Sequence, residues 1–226
     1  MKKLFALATA IGVTAALGAG VAEAKDHGQV TFEVTITNNS ELGQLDTDRA
    51  GGQIPLAPAL WAVAKGADNP LFEVGGYASP GLELLAEDGS PAGLHGEAAE
   101  VNRISASESA FGPGGPILAG QSTTFTVTAS PGDRLFVASM FVQSNDLFFA
   151  NDDGIRLFHG NRATSGDVTD RVELWDAGTE VNEPLGLGGY QPLAGAGPNA
   201  GTDEGGVIAL SDVDEEVIQV TITPVG

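Results

Sequence analysis

Two short acidic stretches hold the residues best suited to chemistry. Residues 144–154 read SNDLFFANDDG and carry Asp146, Asn151, Asp152 and Asp153. Residues 176–180 read DAGTE and carry Asp176 and Glu180. Each follows an apolar run, which puts both at strand ends. A hard dication such as Ca²⁺ takes about six to eight oxygens from carboxylates and backbone carbonyls. Two loops at strand ends, each with carboxylates several residues apart, can converge on one such ion. Gly178, between the acids of the second stretch, lets the chain curl there. The spacing is not that of a helix–loop–helix calcium loop, which alternates its acids and closes on a Glu. Acidic turns are also commonly plain solvated surface. Residue types alone leave both readings open.

Enzyme chemistry finds less to work with. There are three histidines, His27, His95 and His159, and no cysteine, which removes thiol catalysis and thiolate metal sites. The nucleophile elbow, the phosphate loop, the His-Glu-x-x-His pair and the dinucleotide glycine motif are all absent from the sequence. A carboxylate pair of the glycosidase kind is compatible with 30 acidic residues, but nothing in the sequence selects one.

The elements that must position these acids are mostly strands. Residues 29–37 (QVTFEVTIT) and 121–129 (QSTTFTVTA) alternate apolar and polar, the mark of a half-buried strand. Residues 134–142 (RLFVASMFV) are nearly continuous in apolar type and read as a central strand. Residues 155–158 and 172–175 are shorter strands, and 217–223 (VIQVTIT) echoes the first. Helix is scarce. Residues 79–87 form the best candidate, with Ser79 as cap and Pro80 at the first helical position, and residues 94–101 give a second short turn. Residues 110–120 and 185–206 are Gly-rich loops. The expectation is an all-β, antiparallel β-sandwich with one or two short helices and long Gly-rich loops. The aromatic residues Trp61, Trp175, Phe125, Phe136 and Phe141 are expected in its core, as is the Phe148–Phe149 pair.

The first 24 residues read as an export signal. Lys2 and Lys3 precede an apolar run, and Ala22-Glu23-Ala24 supplies a cleavage pattern. Residues 25–226 then form one domain, expected in the periplasm or outside the cell, without membrane insertion once the signal is cleaved. A net charge of −20 repels nucleic acid and favours solubility and divalent cations.

Residues 134–180 resemble the spondin N-terminal domain. The likeness is carried by RLFVASMFV, SNDLFFANDDGIRLF and VELWDAGTE. Residues 56–89, LAPALWAVAKGADNPLFEVGGYASPGLELLAEDG, resemble bacterial members of that family. The resemblance implies a C2-like sandwich holding calcium between a loop Asp after the core strand and the two acids of an Asp-Ala-Gly-Thr-Asp motif. Matched here, these are Asp146, Asp176 and Glu180. Glu180 stands where the animal domains carry Asp, and those domains use disulfides, which this chain lacks.

The resulting expectation is a secreted or periplasmic, non-catalytic, calcium-binding module for adhesion or binding. Its partner would be an extracellular ligand, a cell-surface or matrix component whose identity the resemblance does not supply. An extracytoplasmic hydrolase using a carboxylate pair or the bound metal is the alternative, and a purely structural envelope protein is a third reading.

Overall fold

Alternating residues build the outer layer of the fold. β1 (Val30–Asn38), β4 (Ser122–Ala129) and β13 (Ile218–Val225) turn Phe32, Val34, Ile36, Val127, Val220 and Ile222 inward. They form an antiparallel sheet in the order β10-β13-β1-β4, where β10 is Gly166–Asp167. The echo between the first and last strands thus reflects adjacent sheet positions: Val34 faces Ile222 across the ladder. On the solvent face, hydroxyls pair across strands, Thr35 with Thr124 at 2.9 Å and Thr37 with Ser122 at 2.9 Å. The structure is a computed structural model that describes residues 28–197, 199–213 and 216–225. The stretch read as an export signal and His27 lie outside the described residues.

The central strands of the second sheet are covered on both faces, so they lack alternation. The sheet runs β12-β11-β6-β5-β2-β3, with β7 also paired to β5. These strands are β2 (Ala59–Lys65), β3 (Ile104–Ala110), β5 (Asp133–Met140), β6 (Leu147–Ala150), β7 (Ile155–Arg156), β11 (Glu173–Asp176) and β12 (Ala209–Leu210). Two further short strands, β8 (Phe158–His159) and β9 (Arg162–Ala163), form a hairpin of their own. Leu135, Val137, Leu147, Phe149 and Leu174 face the first sheet and fill the sandwich. Phe136, Ala138, Phe148, Ala150 and Trp175 face the other way, against the helices α1 (Pro80–Asp88) and α2 (Ala92–Ala99). Phe148 and Phe149 are consecutive and both buried for this reason. The fold is therefore an all-β sandwich with a helical cap on one sheet. Trp61 stacks on Phe125 from the other sheet, centroids 5.3 Å apart, so Trp61 is core and the partly buried Phe125 packs against it.

The helical cap has a non-local lock. Ser79 Oγ accepts from the Leu82 N–H at 3.2 Å, as an N-cap should. No Glu follows it at the capping-box position, but Glu97 of α2 brings a carboxylate to the helix start from outside. Its carboxylate accepts from Ser79 Oγ at 2.5 Å and from the Gly81 N–H at 2.7 Å. The C-terminal end closes on Gly89, left-handed at φ 66°. Among the described residues, no helix is long and apolar enough to cross a membrane.

Candidate metal centre

The ladder between β6 and β11 brings the two acidic stretches together. Leu147 faces Asp176, and the Ala177 N–H donates to the Asp146 carbonyl at 3.2 Å, carrying the pairing one residue further. Gly178 then turns the chain at φ 66°. A Cβ there would stand 2.9 Å from the Gly206 and Val207 backbone, so both conformation and close approach require glycine. The returning segment is pinned by N–H donors of Glu204 and Gly206 to the carbonyls of Thr179 and Gly178, at 2.9 and 2.8 Å.

Asp146 is fully buried. Its Oδ2 accepts from the Thr179 N–H at 2.8 Å, the Glu180 N–H at 3.1 Å and the Thr179 hydroxyl at 3.2 Å. Its Oδ1 is buried with no partner. Burial, then the nearby charge of Asp176, pushes this carboxyl up to about 6 in spite of those three bonds. Asp176 accepts from the Gly178 N–H at 2.7 Å and from Asn182 Nδ2 at 2.5 Å. Glu180 is buried and turned to other partners. Its Oε2 accepts from Asn145 Nδ2 at 3.1 Å and its Oε1 from the Gly201 N–H at 2.8 Å. A Cβ at Gly201 would come within 2.3 Å of the Glu180 carboxylate, so a side chain there would push that carboxylate out of its present position.

The acids proposed from sequence thus share one corner without forming a closed cage. Asp146 and Asp176 feel each other's charge, while both oxygens of Glu180 are engaged elsewhere. Among the described residues, no group of three or more His, Cys, Asp or Glu side chains stands arranged to hold a metal ion. The donor chemistry nevertheless suits a hard cation at Asp146 and Asp176: an orphaned buried carboxylate oxygen beside a second carboxylate is a site short of positive charge.

Sequence reasoning missed a further set of acids at the C-terminal end of α1. Glu87 is 6% exposed, and its Oε2 is buried without a partner, as is Oδ2 of Asp88. Burial pushes the Glu87 carboxyl up to about 7. Hydrogen bonds from the Thr179 side chain and the Asn199 backbone oppose the shift, while the charges of Glu180 and Glu83 add to it. Burial, then Glu180 and Glu83, raises Asp88 as well. A signal was present in the sequence. Two acids end a helix that has no basic residue in its last turn, where the helix dipole disfavours negative charge.

The remaining residues of the first acidic stretch do other work. Asp152 and Asp153 are exposed. Asn151 is buried and stands in for a strand neighbour: its Oδ1 accepts from the Val137 N–H at 2.7 Å and its Nδ2 donates to the Leu135 carbonyl at 2.8 Å. Asn151→Ala leaves two backbone groups of β5 unpaired and is expected to cost about 2–4 kcal/mol in chemical unfolding. Asp152→Ala is expected to cost less than about 0.5 kcal/mol in the same measurement.

No protein-family model matches the chain, and no curated protein matches it either. The likeness to the spondin N-terminal domain rests on the residues quoted above.

Proposed function

We propose that this protein is an exported, non-catalytic β-sandwich module whose strand-end loops are tied together by calcium. The observation that carries the reading is the buried Asp146, with one carboxylate oxygen bonded to the 176–180 loop and the other orphaned beside Asp176. Asp146 and Asp176 would hold the ion, with backbone carbonyls and water completing its shell. Glu180 joins them only by releasing Asn145 and Gly201. Binding would relieve the repulsion between the two acids and fix the 176–180 loop against β6. The spondin-like motif residues support the same assignment.

A ligand that binds only the folded state stabilises it in proportion to the logarithm of its excess over Kd. At ten times Kd the gain is about 1.4 kcal/mol, a melting shift of roughly 3–6 °C for a domain of this size. Mg²⁺ should do less, because it demands a tight octahedron and keeps its waters. Asp176→Asn should remove most of the calcium shift while melting close to the parent in chelator. An Asp176→Asn variant that keeps the full shift would remove Asp176 from the site.

A further inference from the structure

We propose that β4 is a docking edge for a second copy of this chain. The two β4 strands would pair antiparallel about a two-fold axis and join the outer sheets of both copies into one.

The reasoning starts from where the backbone of β4 points. In an antiparallel ladder, alternate residues exchange both backbone bonds with the neighbouring strand, and those between turn theirs away. The Asn38 N–H donates to the Gln121 carbonyl at 2.9 Å. From there β1 and β4 stay in unbroken register, Thr37 opposite Ser122 through to Val30 opposite Ala129. Thr123, Phe125, Val127 and Ala129 are therefore the residues bonded to β1. Ser122, Thr124, Thr126 and Thr128 direct their N–H and C=O groups to the other side, where the sheet ends. Among the described residues, these groups meet no other backbone partner.

The other ends of the two main sheets are closed off. β10 and β12 are two residues each. β3 is interrupted by a bulge opposite Val63 and Ala64 and carries Glu108. His95 Nε2 of α2 also donates to its Ser107 carbonyl at 3.1 Å. Short, bulged, charged or covered edges keep further strands from adding on. β4 has none of these devices: its eight residues, STTFTVTA, include no charge and no proline, and its ladder has no bulge.

β4 is also its own complement. One antiparallel register sets Ser122 opposite the second copy's Thr128, and Thr124 opposite its Thr126. That register uses every outward N–H and C=O of the strand on both copies, as an isologous contact should. The solvent face then continues in Ser and Thr pairs, which are favourable across strands. On the core face, the partly buried Phe125 meets the second copy's Phe125 across the axis, at the closer spacing of a non-hydrogen-bonded pair. Charge does not oppose the seam. Two copies at −20 each repel over distance, but β4 lets them meet with no charge opposite another, and salt screens the remainder. A single strand pair lies below the standard interface size, so the dimer is weak.

Sedimentation equilibrium in chelator, from about 1 µM to about 1 mM protein, tests the pairing. A monomer–dimer equilibrium is expected, tightening as NaCl is raised to about 0.5 M. Thr126→Pro removes an outward N–H and no bond to β1, a change that edge strands tolerate. Thr124→Lys combined with Thr126→Lys sets Lys against Lys across the seam. Each variant is expected to weaken the dimer about tenfold or more. The lysine variant lowers the net negative charge, so association without strand pairing would be strengthened by it instead. Circular dichroism confirms each fold, and the lysine variant decides the matter should Thr126→Pro not fold. Amide exchange reads the register: Ser122, Thr124, Thr126 and Thr128 should gain protection as protein concentration rises, while Thr123, Phe125 and Val127 stay protected throughout. A chain that remains monomeric at the highest concentration and salt would overturn the proposal and leave this edge to a strand of another protein. A dimer that keeps its Kd in the folded variants would overturn it too.

Discussion

Asp146→Ala is expected to destabilise the chain by about 3–5 kcal/mol, a fall in melting temperature of roughly 6–20 °C. The loss comes from what Asp146 Oδ2 holds. Removing it strands the N–H groups of Thr179 and Glu180 and the Thr179 hydroxyl, and a buried donor left without an acceptor costs about 1–3 kcal/mol. Asp146→Asn should behave differently. An amide oxygen keeps an acceptor for those donors and removes the buried charge whose cost is expressed in the raised pKa. In chelator at pH 8, Asn should therefore cost far less than Ala. With calcium present, Asn should cost more, because a carboxylate ligand is gone. Urea unfolding of the parent and both variants, with and without calcium, measures each difference. An Ala variant as stable as the parent would mean that Asp146 does not hold the loop.

Legibility in the sequence followed the environment of each strand. β1, β4 and β13 have one wet face, so period-two alternation marked them. β5 showed as an apolar run. β6 was hidden inside what reads as an acidic loop, because Leu147 to Ala150 are only four residues long and buried on both faces. β2, ALWAVAK, has the same two-sided burial and no period to find. The DAGTE motif located Asp176 and Glu180 at a strand end, and Gly178 adopts the left-handed turn expected of it. What local spacing could not show is which acids face each other. Glu180 looks toward Asn145, Gly201 and the end of α1, partners far away in the chain. Asn151 looked like a metal-loop residue by its neighbours, yet its amide serves the β5 backbone.

Chelator-stripped protein is expected to be more stable at pH 4–5 than at pH 8, by about 2–4 kcal/mol once solvent screening of these carboxyls is discounted. The sign follows from two carboxyls whose pKa is higher in the folded state than in the unfolded chain. Glu87 rises to about 7 and Asp146 to about 6, from their ordinary values of 4.5 and 3.8. Each binds its proton more tightly when folded. Its contribution is fully present below the unfolded pKa and is lost as pH rises through the folded value, here between about pH 4 and pH 7. The net charge of −20 acts in the same direction, since self-repulsion grows as acids ionise. Asp167 is held low by bonds from Thr169. Glu183 is held low because bonds from Tyr190, Gly189 and Asn145, with the charge of Arg49, outweigh its burial. Both work the other way only as pH falls to about 4 and below. The melting temperature in chelator should drop roughly 5–15 °C from pH 5 to pH 8, and calcium should recover more of it at pH 8 than at pH 5. A flat profile across this range would show that neither acid is buried as described.

Calorimetric titration of the chelator-stripped chain with calcium at pH 8 tests the central claim most directly. Saturable heat is expected, with a dissociation constant in the ~10⁻⁴ to 10⁻³ M range typical of extracellular modules. Mg²⁺ should bind more weakly, and Asp176→Asn should lose the step assigned to the Asp146–Asp176 pair. No heat at millimolar calcium, together with an unchanged melting temperature, would contradict the account and leave these acids as a solvated corner of the sandwich.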